Sequence, residues 1–172
     1  MKLEADGFSF DFTDALDGFV FDEKDKTQAH YHGLSHAMKA VDIIVELEND
    51  YLFIEIKDFH APDDYDFQRA INEDQHKERM KYFNHLREVL KGKYRDTWMY
   101  RWAENKLNKP VRYLCLLTLD NALLTRMNKE LRQQLPVAKN GPRWTHDIAS
   151  SAIVVNVDRW NKAFTAWPVV KI

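Results

Sequence analysis

The sequence predicts an α/β fold in which a central mixed β-sheet is flanked by helices. Residues 38–59, MKAVDIIVELENDYLFIEIKDF, read as two apolar strands joined by a short polar turn. Residues 111–119 and 152–157 are further near-continuous apolar runs of strand length, each followed at once by residues suited to start a helix. Elsewhere apolar side chains recur at spacings of three and four, the mark of amphipathic helices that cover a sheet.

The elements follow from the N-terminus. Residues 8–12, Phe-Ser-Phe-Asp-Phe, alternate apolar and polar side chains as a half-buried strand does. Thr13 is a plausible N-cap for a helix whose face carries Phe12, Leu16, Phe19, Val20 and Glu23, although Gly18 and the run of residues 19–21 also suit a strand. Residues 28–36 form a loop with His30, His32 and His36, three imidazoles that line the cleft mouth, touch phosphate or hold a transition metal. Residues 58–64 are a second loop, punctuated by Pro62 and paired Asp. From Asp66, the apolar positions Phe67, Ala70, Ile71, Met80, Phe83, Leu86, Val89 and Leu90 mark helical faces ending near Gly92, with an apolar gap between Asn72 and Arg79. Trp98, Tyr100 and Trp102 alternate around Arg101, where aromatic rings can stack on unpaired bases.

The strand at 111–119 leads to a helix capped by Asp120 or Asn121, running through Leu131 to a stop before Pro136. A loop at 137–147 contains Asn140-Gly141-Pro142. The strand at 152–157 ends at Asp158, which is placed to cap a short helix holding Trp160, Ala163 and Phe164. Hydrophobic content of 45% in 172 residues is enough to build one folded domain, 1–172, and excludes a disordered chain. The single Cys115 excludes a disulfide framework. The N-terminus lacks an apolar signal core and no segment reaches membrane-spanning length, so a cytoplasmic location without membrane contact is expected.

The hairpin at 38–59 also carries chemistry. A two-residue turn at Asn49-Asp50 pairs Leu47 with Leu52, Val45 with Ile54, Ile43 with Ile56 and Asp42 with Lys57. One face is then wholly apolar, from Val41 through Val45 and Leu52 to Ile56. The other carries Asp42, Ile44, Glu46, Phe53, Glu55 and Lys57, so two carboxylates and an amine converge on one patch of sheet.

Asp42, followed after twelve intervening residues by Glu55-Ile56-Lys57, resembles the PD-(D/E)XK, or restriction-endonuclease-like, nuclease superfamily, with Val41 where that family often has Pro. The resemblance implies a restriction-endonuclease-like core: helix, strand pair carrying the acids, helix, strand. It implies Mg²⁺, with Mn²⁺ as a substitute, held by Asp42, Glu55 and the backbone carbonyl of Ile56, with Lys57 as the catalytic lysine. An additional acid on the first helix would be Glu23, or else Asp22, and a polar contribution from the later helix would come from Gln68 or Gln75.

Charge is lopsided along the chain. Residues 1–66 hold 17 Asp and Glu against 5 Lys and Arg, while residues 67–172 hold 10 against 20, so an acidic metal-binding half precedes a basic half that can meet phosphates. In residues 77–101 the cations are Lys77, Arg79, Lys81, Arg87, Lys91, Lys93, Arg95 and Arg101, and the first four are the leading candidates for contact with a nucleic-acid backbone. The expected activity is Mg²⁺-dependent phosphodiester hydrolysis of DNA, with RNA second. The alternative is an inactive nuclease-fold subunit that binds nucleic acid or a protein partner. A homodimer or a partner subunit suits either.

Overall fold

A computed structural model describes residues 1–138 and 141–172. Eight strands and three α-helices are formed among them: β1 Lys2–Ala5, β2 Phe8–Asp11, β3 Asp17–Val20, β4 Ile43–Glu46, β5 Tyr51–Lys57, α1 Glu73–Ala103, β6 Val111–Leu117, α2 Asn121–Gln134, β7 Ser151–Val155, α3 Val157–Ala163 and β8 Val169–Lys171. Strands β3-β4-β5-β6-β7 make a mixed five-stranded sheet, and β1-β2-β8 make a small second sheet. The pairs β3–β4 and β4–β5 are antiparallel, whereas β5–β6 and β6–β7 are parallel. Parallel neighbours need crossover connections, which α1 and α2 supply.

Both faces of the large sheet are covered. On one, Ile44, Phe53, Tyr113 and Cys115 pack with Leu86, Leu90 and Tyr94 of α1 and Leu124, Met127 and Leu131 of α2. On the other, Ile43, Val45, Leu52, Ile54 and Leu114 meet Phe8 and Phe10 of the small sheet and Trp160 of α3. The strands therefore read as continuous apolar runs because neither face is open to water. Burial of both faces agrees with the expected central sheet covered by helices, and the small sheet covers part of the second face.

Four expectations change. The helix at 12–23 is absent: the Thr13 hydroxyl donates to the Ala166 carbonyl, and residues 17–20 form β3 against β4. Phe19 and Val20 favour a strand, and the pairing satisfies an edge of β4 that a helix would leave open. The hairpin register is two residues tighter than expected, with Ile43 opposite Ile54 and Val45 opposite Leu52. The Leu47 N–H donates to the Asp50 carbonyl at 2.9 Å, so Glu48-Asn49 is the turn. A shift of two preserves parity and leaves the face assignment intact, but it brings Asp42 level with Glu55 rather than Lys57.

The helix expected to stop near Gly92 continues for 31 residues, to Ala103. Gly92 is buried, and a Cβ there would lie 3.1 Å from Cδ of Lys39, so the glycine lets that side chain cross the helix. Its local cost of about 1 kcal/mol is offset by packing. The apolar gap before Arg79 holds the helix start, where Asn72 accepts from the Gln75 N–H, and Phe67–Arg69 is a separate 3-10 turn. Helix α3 is capped by Asn156, not Asp158, while α2 starts on Asp120 as expected. The expected loop at 137–147 includes Asn140, which lies outside the described residues.

The expected strand at 8–12 forms as β2, and its partner β1 has a local signal of its own. Asp6 and Gly7 have φ of 47° and 80°, and Ala5 pairs with Phe8 across them. An Asp-Gly pair with both φ positive is the favoured two-residue hairpin turn. No helix among the described residues is long and apolar enough to cross a membrane.

Leu90 is fully buried between α1 and the sheet, and its carbonyl accepts from the Tyr113 hydroxyl at 2.9 Å. Leu90→Ala is expected to lower stability by about 2–5 kcal/mol through lost burial and an unfilled cavity. Urea denaturation measures it, and a change within 0.5 kcal/mol, about that of a surface substitution, would contradict this packing.

Candidate active site

Asp42 stands just before β4, and Glu55 and Lys57 lie near the end of β5 on the face that α1 covers. The backbone around Asp42 is pinned from α1. Asp96 accepts from the Lys39 N–H at 3.0 Å, and the Thr97 hydroxyl accepts from the Val41 N–H at 3.0 Å. Across the strand pair the Ile56 N–H donates to Asp42 Oδ2 at 2.6 Å. Asp42 is 6% exposed and Glu55 is completely buried. Removing carboxylates from water at this cost requires counter-charge.

Two ammonium groups supply it. Lys57 Nζ lies 2.9 Å from Glu55 Oε1. Lys93, from the middle of α1, places Nζ 2.8 Å from the same oxygen and 3.4 Å from Asp42 Oδ1. One cation therefore bridges both acids. Lys57 is about one-third exposed and marks the open side of the site, whereas Lys93 is mostly enclosed.

Burial raises the Asp42 carboxyl above its ordinary range, against the pull of Lys93, the Ile56 N–H and Lys57. Glu55 is pushed up to about 8 by burial first and by Asp42 second, with Lys93 and Lys57 opposing. Burial works against the charge on Lys93, but Glu55 and Asp42 outweigh it and hold its pKa above the ordinary lysine value.

The donors suit a hard divalent cation. Both acids offer oxygen, and Glu55 Oε2 is buried without a hydrogen-bond partner. Mg²⁺ is commonly held by one or two carboxylates and keeps several waters. No group of three or more His, Cys, Asp or Glu among the described residues is arranged for a metal; the pair Asp42 and Glu55, with the Ile56 backbone beside it, offers two carboxylates only.

Other residues singled out from the sequence fall elsewhere. Glu23 Oε1 accepts from the N–H groups of Lys24 and Asp25, so its carboxylate closes its own turn. Asp22 pairs with Lys24 at 2.6 Å and is also among the charges acting on Lys93. Gln75 accepts from the Ile71 N–H, and it lies about 27 Å along the helix axis from Lys93; Gln68 is exposed in the 3-10 turn. His30 stacks on Phe19 and His32 on Phe21, so these imidazoles extend an aromatic cluster, while His36 is exposed.

Of the cations proposed for nucleic acid, Lys77 pairs with Glu73 and Arg79 donates to the Asp66 carbonyl. Arg87 ties α1 to Glu130 of α2, and Lys81 is exposed. These four stand about 9 to 24 Å from Lys93 along the axis of α1. Trp98, Tyr100 and Trp102 are helical and point different ways. Tyr100 packs edge-on to Phe21, whereas Trp98 and Trp102 line a cavity of about 680 Å³ with Trp144.

In the sequence Lys93 belongs to the basic stretch at 77–101, whereas the structure places it between the acids. The apolar stripe of Phe83, Leu86 and Leu90 continues through Tyr94 and Thr97 once the helix passes Gly92. Lys93 borders that stripe, and a lysine there was the available signal. No protein-family model, curated protein or solved structure matches this chain.

Because the folded Glu55 holds a proton that the unfolded chain releases above about 4.5, this group's contribution to stability is full at lower pH and is lost as pH rises towards 8. Urea denaturation of the wild type is expected to show that loss between pH 5 and pH 8, and Glu55→Gln to flatten it. Equal pH dependence in the two proteins would refute the assignment.

Proposed function

We propose that this chain hydrolyses phosphodiester bonds in DNA, with RNA the second candidate, in a Mg²⁺-dependent reaction at Asp42, Glu55 and Lys57. The observation that carries the proposal is the gathering of two buried carboxylates and a partly exposed lysine at one end of β4 and β5. The antiparallel pair β4–β5, followed by α1 and the parallel β6, supports a restriction-endonuclease-like core. The helix that should precede the strand pair is replaced by β3, and the reading therefore leans on the site more than on the element order.

Asp42 and Glu55 would hold the cation, which, when bound, polarises the scissile phosphate and acidifies an attacking water. Asp42 is kept in place for this by the Ile56 N–H. Lys57, reachable from solvent, orients the water and stabilises charge developing on the phosphate. Lys77 and Lys81, exposed on α1, contact the nucleic-acid backbone without reading sequence.

A second reading, an inactive nuclease-fold subunit that binds nucleic acid or protein, is favoured by one observation: Lys93 already bridges both acids, and Glu55 is sealed. Salt-dependent retardation of DNA without cutting would establish its nucleic-acid form.

Plasmid and single-stranded DNA are expected to be cut in Mg²⁺ or Mn²⁺, with Asp42→Asn and Lys57→Ala each slowing cleavage by about 10²-fold or more. Cleavage that persists at the wild-type rate in both variants excludes this site.

A further inference from the structure

We propose that Lys93 is a resident counter-ion that occupies the cation's place in the metal-free protein and withdraws when a divalent cation binds. The inference rests on the metal-dependent reading of the site and assigns its regulation. Its basis is the position of one ammonium nitrogen, 2.8 Å from Glu55 Oε1 and 3.4 Å from Asp42 Oδ1. A Mg²⁺ ion takes its oxygens at about 2.0–2.1 Å, so ion and ammonium cannot both remain between the same two acids.

Charge balance leads to the same conclusion. When ionised, Asp42 and Glu55 are matched by Lys57 and Lys93 with no metal present. A divalent cation added to that set leaves an excess of positive charge in a buried pocket, and the group that can relieve it is the lysine that shares the cation's ligands. Lys57 does not fill that role because it touches only Glu55 and approaches from the open side.

The stem of Lys93 makes withdrawal feasible. A lysine carries a point charge on four rotatable carbons and can shift its head group while its stem stays packed. The helix around it is fixed by Leu90 and Thr97, on either side in sequence, so the movement is confined to the side chain. Asp22, 23% exposed at its side chain and already acting on Lys93, offers a second carboxylate towards which the ammonium can turn.

The test uses Lys93→Met, which keeps the stem and removes the charge, with Lys57→Met as the control. By calorimetric titration with Mn²⁺, Lys93→Met is expected to bind about tenfold tighter or more than wild type, and Lys57→Met to show no such gain. In EDTA, Lys93→Met melts below wild type, and Mn²⁺ restores more of its Tm than of the wild type's. Should that variant not fold, the Lys93 ammonium of the intact protein can be followed by NMR. It is expected to exchange slowly with water in the metal-free state and to lose that protection when Mg²⁺ is added. Equal Mn²⁺ affinity in Lys93→Met and wild type, or an ammonium signal unchanged at saturating Mg²⁺, overturns the proposal. Cleavage of DNA by a wild type in which Lys93 stays in place sinks the counter-ion and leaves the nuclease reading. Displacement of Lys93 by Mg²⁺ without cleavage of any DNA does the reverse.

Discussion

The ammonium of Lys93 lies between two carboxylates that the fold has removed from water, and much of the architecture serves to put it there. Glu55 is completely buried in the middle of the five-stranded sheet. A carboxylate in that position costs several kcal/mol unless it is neutralised by a partner or a proton. Helix α1 has to reach far enough to deliver that partner, and its course past Gly92 does so. Asp96 and Thr97, one turn farther on, bind the backbone just before Asp42 and bring the second acid within reach of the same lysine. The contact that neutralises the acids thus also fixes the helix against the hairpin.

The two cores divide the work. The face built with Phe8, Phe10, Trp160 and Trp167 is largely apolar, with Arg112 stacked over Trp167, and it holds none of the candidate site's charges. The α1 face is apolar over most of its length and gathers Asp42, Glu55 and Lys93 at one end of β5. Confining the polar groups to one end lets a rigid sheet position them, while Lys57 keeps a path to solvent. The cost is a site whose charges are already balanced, which is why a catalytic and a purely structural role both find support in the same contacts.

Much of the fold was legible in local patterns. The apolar runs at β5, β6 and β7 declared themselves by continuity, and Asp120 marked the start of α2 through its cap. The region at 12–23 misled because Phe12, Leu16, Phe19, Val20 and Glu23 satisfy a helical spacing while the same residues can form an edge strand. What decided between them was an unpaired edge on β4, a feature of a distant segment. Gly92 misled differently: a residue that often ends helices is here the gap through which Lys39 passes. The Asp6-Gly7 turn, in contrast, was fully local and readable.

The sequence by itself determined which side chains share a face, because strand parity depends only on counting residues. Asp42 and Glu55 stay on one face even though the register is tighter by two, since a shift of two leaves alternation unchanged. Only the tertiary structure decided that this face is sealed by α1, that the acids stand level with each other, and that Lys93 joins them. Those outcomes rest on contacts between residues far apart in the chain, Lys93 and Asp42 being separated by 51 positions. No local periodicity encodes such a meeting; it follows from where a long helix must lie to cover a parallel crossover.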